Sequence, residues 1–371
     1  MNKKAISCHA LFIPSWYPTF RNPVSGIFIQ QQAQALQDSG LKIGVLFFEE
    51  RLSLTKPPGI QLEKGISVCR SSGFTIPKRV KPLRYYWLKK WEALFNHYIK
   101  NCERPDILHA HSFVGGFVAQ YLSQKYGIPY VLTEHYSGFM QQRIPRHWKA
   151  DLNSIYNDAD KIIAVSEVLR QALQNFTSTT IEVIPNMVDT SIFYPANNKD
   201  VPSPLRLITV GSLIKRKNIS FLLRVLSRLE MDATLTVVGD GPLLSKLKRE
   251  ARQLDIHRKV TFTGNLPPEG VADAMRQSHI FVFASKAETF GVVLIEALAC
   301  GLPIVSTPCG ISEEMKVHYC LDVILNETEM SRAVRLLYTS RINSKDENLP
   351  KILVEFNKET ITSKITQAYQ I

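Results

Sequence analysis

Six cysteines in 371 residues, no two of them only two positions apart, leave no zinc knuckle or redox pair to organise the chain. Cys8, Cys69, Cys102, Cys300, Cys309 and Cys320 read instead as reduced, mostly buried thiols of a cytoplasmic protein. No apolar run reaches the roughly 18 residues of a membrane-spanning helix. The longest near-apolar stretch, Gly291–Val305, carries Glu296 in its middle and Gly301-Leu302-Pro303 near its end. With 18 glycines and 20 prolines and no period among them, collagen-like and low-complexity architectures are excluded, and no repeat of solenoid length occurs. Acidic residues are in deficit: 33 Asp+Glu against 45 Lys+Arg give a net charge of +12. Such a surplus points to a polyanionic partner, whether a nucleic acid, a phosphorylated substrate or an anionic membrane.

What is present is apolar enough to bury real cores, 45% against 21% charged residues, so global disorder is excluded. At about 100–200 residues per domain, the length predicts two domains. Lys3 and Lys4 before an apolar stretch imitate a signal peptide, but His9 interrupts it and Pro14-Ser15-Trp16 is a poor cleavage site. Ala5–Ile13 is therefore read as the first β-strand. Short apolar runs then alternate with helical patterns, the signature of parallel βαβ units. Strands are expected at Lys42–Phe48, Ile107–Ala110, Tyr130–Thr133, Lys161–Val165 and Glu182–Ile184, with helices at Phe28–Asp38, Val114–Tyr126 and Glu167–Gln174. A polar, proline-rich linker, Tyr194–Pro204, follows. The rhythm restarts with strands at Arg206–Val210, Thr234–Val238, Lys259–Thr263, Ile280–Ala284 and Pro303–Ser306, and with helices at Ser220–Leu229, Leu243–Asp255, Gly270–Ser278 and Val292–Cys300. The fold class is α/β: two doubly wound, Rossmann-like domains facing a central cleft. Residues 1–193 form the first, 194–204 the linker and 205–355 the second, while 356–371 supply a last helix that packs back on the first. Open parallel sheets bind ligands outside the carboxyl ends of their strands, so the active site is expected where both sets of strand-ending loops meet.

Glu296 is the only charge in an otherwise apolar helix, and a carboxylate there is costly to desolvate unless it finds donors. Vicinal ribose hydroxyls or a structural salt bridge would supply them. Glu288 lies in the loop before that helix, and between the two Phe290 and Gly291 open the helix with backbone N–H groups that can approach a phosphate. Lys215-Arg216-Lys217, after Val210-Gly211-Ser212, sits at a strand-to-helix junction where cations would face a diphosphate. Alone, such a triplet is more often a solvated surface than a phosphate site; its position at the junction favours the phosphate site. In the first half, His109 and His111 end one strand and His135 follows the next, so three imidazoles converge near the cleft, for ligand contact or for loop packing. A metal would need a ligand set that no cysteine or carboxylate spacing supplies, and no metal site is assigned.

Gly211 to Lys217, Val237-Val238-Gly239-Asp240-Gly241-Pro242, Phe262-Thr263-Gly264, and Glu288 to Glu296 with Gly301-Leu302-Pro303 together resemble the signature of glycosyltransferase family 4 on the two-domain GT-B fold. The first half is similar more loosely, through Pro18 to Gly26, Asp106 to Gly116, Tyr130 to His135 and Val183 to Asp189. The resemblance implies retaining transfer of a hexosyl group from a nucleoside diphosphate sugar, used as co-substrate, with no cofactor and no essential metal. It implies that Glu288 hydrogen-bonds sugar hydroxyls, that Phe290 and Gly291 offer backbone N–H groups, and that Glu296 binds ribose. Lys217, supported by Arg216, would neutralise the diphosphate, and Leu266 falls where the family holds the base. His111 would lie near the transferred sugar, with His135 and His109 beside it on the acceptor side, and Gly26 would face the diphosphate from the first domain. Two positions depart from the pattern: Ser212 stands where many members carry Arg, and Met187 where Gly is common.

The acceptor implied is a glycan or lipid-linked saccharide of surface polysaccharide or lipopolysaccharide assembly. An epimerase or hydrolase of the same plan, or a basic nucleic-acid-binding protein, is the alternative, although no nucleic-acid motif accompanies the charge. Residues 1–189 carry 22 Lys+Arg against 14 Asp+Glu, and the remainder 23 against 19. The excess concentrates in Pro77 to Arg104, where eight basic residues are interleaved with Tyr85, Tyr86, Trp87, Trp91, Phe95 and Tyr98. That stretch suits either the inner face of the plasma membrane, with the protein cytoplasmic and peripheral, or an ordinary core helix.

Overall fold

The computed structural model describes residues 8–51, 56–141, 143–144, 148–195, 204–315, 322–323, 326–340 and 354–370. The chain divides into two compact units, Met1–Pro185 with Ile361–Ile371, and Asn186–Thr360.

The first unit is built on an eight-stranded sheet of order β3-β4-β2-β1-β5-β6-β7-β8. Its strands are β1 His9–Pro14, β2 Lys42–Arg51, β3 Lys56–Glu63, β4 Ile66–Phe74, β5 Ile107–His111, β6 Tyr130–Glu134, β7 Lys161–Ala164 and β8 Ile181–Val183. Helices α1 Ile27–Asp38, α2 Lys81–Asn101, α3 Ser112–Tyr126, α4 Lys149–Asn157 and α5 Glu167–Leu173 connect them. Among the described residues of this sheet only the β3/β4 pairing is antiparallel, and no element is expected there from the sequence. β3 carries Pro57 and Pro58 and is exposed along most of its length, as suits an edge strand whose composition hides it. The central strands β1, β5 and β6 are buried at every residue, which explains their near-continuous apolar runs. His9, His109, His111, Thr133 and Glu134 are polar exceptions in that buried layer. After β2 the chain builds outward on one side of β1 and then crosses to β5 on the other. The loops after β1 and β5 therefore flank a topological switch point, where open sheets leave a crevice.

The second unit has an all-parallel sheet of order β11-β10-β9-β12-β13-β14. It comprises β9 Leu205–Val210, β10 Ala233–Val238, β11 Val260–Gly264, β12 Ile280–Phe283, β13 Ile304–Ser306 and β14 Asp322–Val323. Helices α6 Ile219–Ser227, α7 Leu244–Gln253, α8 Pro268–Arg276, α9 Val292–Ala299, α10 Ser312–Met315 and α11 Glu327–Ser340 surround it. One face of the sheet packs Leu207, Leu235 and Val282 against Leu222, Leu226, Leu247 and Val334 of α6, α7 and α11. Here the switch point lies between β9 and β12.

Asn186–Phe193 count with the second unit: the Val188 N–H donates to the Phe356 carbonyl at 2.8 Å, and Arg276 to that of Ile192 at 2.9 Å. Most of the expected linker, and the first seven residues with the start of the expected first strand, lie outside the described residues. The C-terminal helix Lys358–Ala368 buries Ile361, Thr362, Ile365 and Ala368, and from Ile361 onward it clusters with the first unit.

Helix α2 resolves the two readings of its basic, aromatic stretch by face. Trp87, Trp91, Phe95 and Tyr98 are buried, whereas Tyr85 and Tyr86 are 54% and 52% exposed and stand beside exposed Val80 and Leu83. Lys78, Arg84 and Lys89 are tied to Glu50, Asp151 and Glu92. Among the described residues no helix is long and apolar enough to cross a membrane.

Candidate functional site

The second unit's site is assembled by two loops at its switch point. After β9, a single 3₁₀ turn at Lys215–Lys217 is closed by Asn218 in the left-handed conformation. After β12, the chain runs from Ser285 to Gly291, which caps α9 with φ +89°. The loops are stitched together: the Lys286 N–H donates to the Arg216 carbonyl at 2.9 Å, and the Arg216 guanidinium donates to the Ala287 carbonyl at 2.8 Å. Glu288 is buried between them. Arg216 Nη1 lies 2.9 Å from its Oε2 and Lys217 Nζ 2.6 Å from its Oε1, while the Ser285 hydroxyl donates to Oε1 at 2.6 Å. Burial pushes the Glu288 pKa up, but Lys217, Arg216 and the hydrogen bonds outweigh it and hold it below the usual carboxylate value. The basic triplet is thus no solvated surface, since two of its members converge on one buried carboxylate. Lys217 also sits 5.2 Å above the Phe283 ring.

Glycine is required beneath this cluster for steric reasons. A Cβ on Gly310, whose φ is +56°, would lie 2.7 Å from the Phe290 carbonyl oxygen and 3.0 Å from Glu288 Cβ. One on Gly239, with φ +129°, would lie 2.2 Å from the Gly211 carbonyl oxygen. Both keep backbone close to backbone at the strand ends, and substitution would push the loops apart.

Phe290 is buried against Phe356. Glu296, five residues into α9, is half-buried, and its carboxylate has neither a hydrogen-bond nor an ion-pair partner among the described residues. Desolvation alone raises its pKa to about 7. Among the described residues the salt-bridge alternative for Glu296 is therefore not realised, and its carboxylate stands just over one helical turn from Gly291 at the start of α9. Ser212 is exposed on the β9 loop. Leu266 is half-buried on the loop joining β11 to α8, two strands away from β9.

In the first unit, His111 is fully buried at the end of β5. Its Nδ1 lies 3.2 Å from His135 Nε2, and its Nε2 is buried with no hydrogen-bond partner among the described residues. The two rings stack at 5.5 Å, and Phe12 packs on His111 at 4.6 Å. Burial, with His109 and His135 adding to it, holds His111 well below the ordinary histidine pKa, and burial alone takes His135 to about 3. Both imidazoles are neutral.

His109 departs from its expected place among ligand-contacting groups. It is fully buried, and both nitrogens are engaged, Nδ1 with the Tyr369 hydroxyl and Nε2 with the Thr133 hydroxyl, each at 2.7 Å. No atom is left for an acceptor; its ring instead stacks on His111 at 4.3 Å. Tyr369, 260 positions away, carried no signal in the sequence. Gly26 has φ +69° as the cap of α1, and a Cβ there would fall 2.3 Å from the Trp16 carbonyl oxygen. The backbone alone demands glycine at that position, whatever it faces. Among the described residues no group of three or more His, Cys, Asp or Glu side chains is placed to hold a metal ion.

Two family models match adjoining parts of the chain: the one described as Glycosyltransferase Family 4 over residues 25–192, and Glycosyl transferases group 1 over residues 193–351. The putative teichuronic acid biosynthesis glycosyltransferase TuaC of Bacillus subtilis is 27% identical over 331 residues, 81% of each chain. Other relatives are matched over about half of their own length. Among solved structures, sucrose-phosphate synthase from Thermosynechococcus elongatus superposes with a TM-score of 0.80 at 19% identity, covering 98% of both chains. Anabaena HepE, solved in complex with UDP and glucose, gives 0.77 at 16% identity over 97% of this chain and 99% of its own. These likenesses establish the two-domain fold.

Proposed function

Because the chain belongs to glycosyltransferase family 4, we propose that it moves a hexosyl group, with retention and without an essential metal or cofactor, from a nucleoside diphosphate sugar to a glycan or lipid-linked saccharide. The observation that carries this reading is the Glu288–Lys217–Arg216 cluster at the β9/β12 switch point, with the unpaired Glu296 beyond it on α9. An ionised Glu288 accepts hydrogen bonds from sugar hydroxyls. Lys217 and Arg216 stand where charge develops on the departing diphosphate, and fixed cations in a desolvated site are worth most there. The N-terminus of α9, opened by Phe290 and Gly291, adds its N–H groups. Glu296 takes the ribose hydroxyls and so gains the donors that the protein withholds. Leu266 contacts the base, and Ser212 and Gly26 border the donor. On the first unit, the partnerless Nε2 of His111 meets a hydroxyl of the transferred sugar, which would offset the roughly 1–3 kcal/mol cost of an unsatisfied buried nitrogen. His135 supports it on the acceptor side. The likeness to TuaC, a putative teichuronic acid biosynthesis glycosyltransferase, favours a role in surface polysaccharide assembly, and lipopolysaccharide is a further acceptor of the same kind.

A panel of nucleoside diphosphate sugars screened by thermal shift tests the donor. The matching one, at 100 times its dissociation constant, should add about 2.7 kcal/mol of stability. Transfer should then depend on acceptor, persist in EDTA and keep the anomeric configuration of the donor. Donor consumption without acceptor would instead mark a hydrolase or epimerase.

The exposed surface of α2 is where the protein would rest on an anionic membrane from the cytoplasmic side. Arg79, Lys81, Lys90 and Lys100 have no acidic partner among the described residues, and near-surface cations contribute about 1 kcal/mol each. Tyr85 and Tyr86 suit the interface. Sedimentation with phosphatidylglycerol vesicles should fall when Lys81 and Lys90 become Glu, and should fall with added salt. Equal sedimentation of the variant would remove the membrane from the reading and leave the transferase assignment intact.

A further inference from the structure

Glu134, the last residue of β6, is fully buried and ties together the two loops that carry His111 and His135. Its Oε1 accepts the N–H of His135 at 2.8 Å and that of Tyr136 at 2.7 Å, all within the loop that follows β6. Its Oε2 reaches across to the neighbouring loop and accepts the N–H of Phe113 at 2.9 Å, in the first turn of α3, together with the Tyr156 hydroxyl at 2.7 Å. All four partners donate, so a deprotonated carboxylate satisfies them and a carboxamide, which brings two donors of its own, does not.

The peptide that Glu134 grips on α3 follows a residue in an unusual conformation. Ser112, buried between His111 and Phe113, has φ +64°, a region that residues other than glycine rarely adopt. Its hydroxyl lies 3.3 Å from the same His135 N–H that Glu134 accepts. The conformation of Ser112 sets the direction in which the chain leaves His111. Such outliers persist only where the surroundings over-determine them, and the bond from Phe113 to the buried Glu134 holds the peptide that follows this one.

We propose that Glu134 is a positioning residue for transfer: it clamps Ser112 in the left-handed conformation and so holds the His111 and His135 rings in the stacked arrangement that leaves His111 Nε2 free for a substrate hydroxyl. The carboxylate itself touches no substrate and acts through the two imidazoles. This inference rests on the transferase reading for its kinetic consequence, but the clamp can be observed without turnover.

The test is a cycle of Glu134→Gln, Ser112→Gly and the double variant, followed by transfer kinetics, nucleoside diphosphate binding and imidazole ¹⁵N NMR of the free protein. Glu134→Gln should lower kcat about 10- to 100-fold, as expected for misplaced groups, with nucleotide affinity unchanged within about twofold because the donor site lies on the other unit. The His111 and His135 resonances should move. Glycine adopts positive φ without support, so in the double variant the resonances should return toward their original positions and kcat should recover at least about fivefold. If Glu134→Gln is poorly folded, Glu134→Asp, which keeps the charge but shortens the reach to Phe113, should show the same pattern at smaller amplitude. Unmoved histidine resonances in both Glu134 variants would overturn the clamp, as would a loss of kcat that Ser112→Gly does not relieve. A parent protein without transferase activity would sink the transferase reading while the NMR cycle still decides the clamp.

Discussion

Replacing Lys217 by alanine should lower transfer by about 10²–10³-fold, the usual cost of removing one preorganised group from a site where negative charge develops. The ammonium lies 2.6 Å from Glu288 and is largely shielded from water, so its attraction for a departing diphosphate is little screened. Glu288→Gln should be at least as damaging, for a reason the geometry makes specific. It leaves Lys217 and Arg216 side by side without their shared counter-ion, and the displaced cations are no longer aimed at the donor. Because the three side chains touch, the effects cannot be independent: the double variant should lose much less than the product of the single losses. Neither substitution is neutral for folding. The Glu288 carboxyl is held below its ordinary pKa, chiefly against burial by Lys217 and Arg216. Its stabilising contribution is therefore full above the unfolded value and is lost as pH falls through the lower folded one. Lys217→Ala should weaken that contribution, so the variant should unfold at a higher pH than the parent during acid titration. Initial rates with the matched donor, together with acid and thermal melts, check both halves. Turnover within about tenfold of the parent in either purified variant would contradict the assignment.

The Glu288–Lys217–Arg216 cluster was legible from sequence because its parts are local. In a parallel sheet, each strand-ending loop is a short continuous segment, so Gly211–Lys217 and Ser285–Gly291 reveal themselves as motifs and the switch point does the rest. Gly310, packed beneath Glu288 from the loop after β13, carried no such signal: a glycine two residues after a proline in a loop is ordinary. The first unit was less legible. The β3/β4 hairpin was missed because an exposed edge strand containing two prolines lacks the alternation that marks a strand. The aromatics of α2 could not be divided between core and surface until the helix phase was known. His109 shows the sharpest failure. Its place at a strand end was read correctly, yet its partner Tyr369 arrives on the C-terminal helix, and no local pattern encodes a contact made by the far end of the chain. Glu134 was overlooked for a related reason, since its donors are backbone groups of loops whose closure is a property of the tertiary fold.

Glu296→Gln should make the free protein more stable at pH 8 while weakening its hold on the nucleotide sugar. Desolvation raises the folded-state pKa of this carboxyl to about 7, against an ordinary value of 4.5, and no neighbouring donor opposes it. The native state therefore binds a proton more tightly than the unfolded chain. Stability is highest where the group is protonated in both, below the unfolded value, and declines as pH rises from about 4.5 through 7. Above that range the parent carries an ionised, unpaired and partly buried carboxylate. A shift of this size corresponds to about 1–3 kcal/mol once the partial exposure of the group is allowed for. Glutamine removes the pH dependence and most of that cost. In the proposed donor pose the same exchange would take away an acceptor for two ribose hydroxyls, and charge-assisted hydrogen bonds of this kind are about twice as strong as neutral ones. Donor affinity should fall by roughly 10- to 100-fold at pH 8, and by less at pH 6, where the parent carboxyl is itself mostly protonated. Thermal melts of parent and variant across pH 5–9, with and without saturating nucleoside diphosphate, measure the two effects on one sample. Should Glu296→Gln destabilise the free protein at pH 8, the carboxylate has a structural partner; should it stabilise the protein and leave donor binding untouched, Glu296 does not hold the ribose.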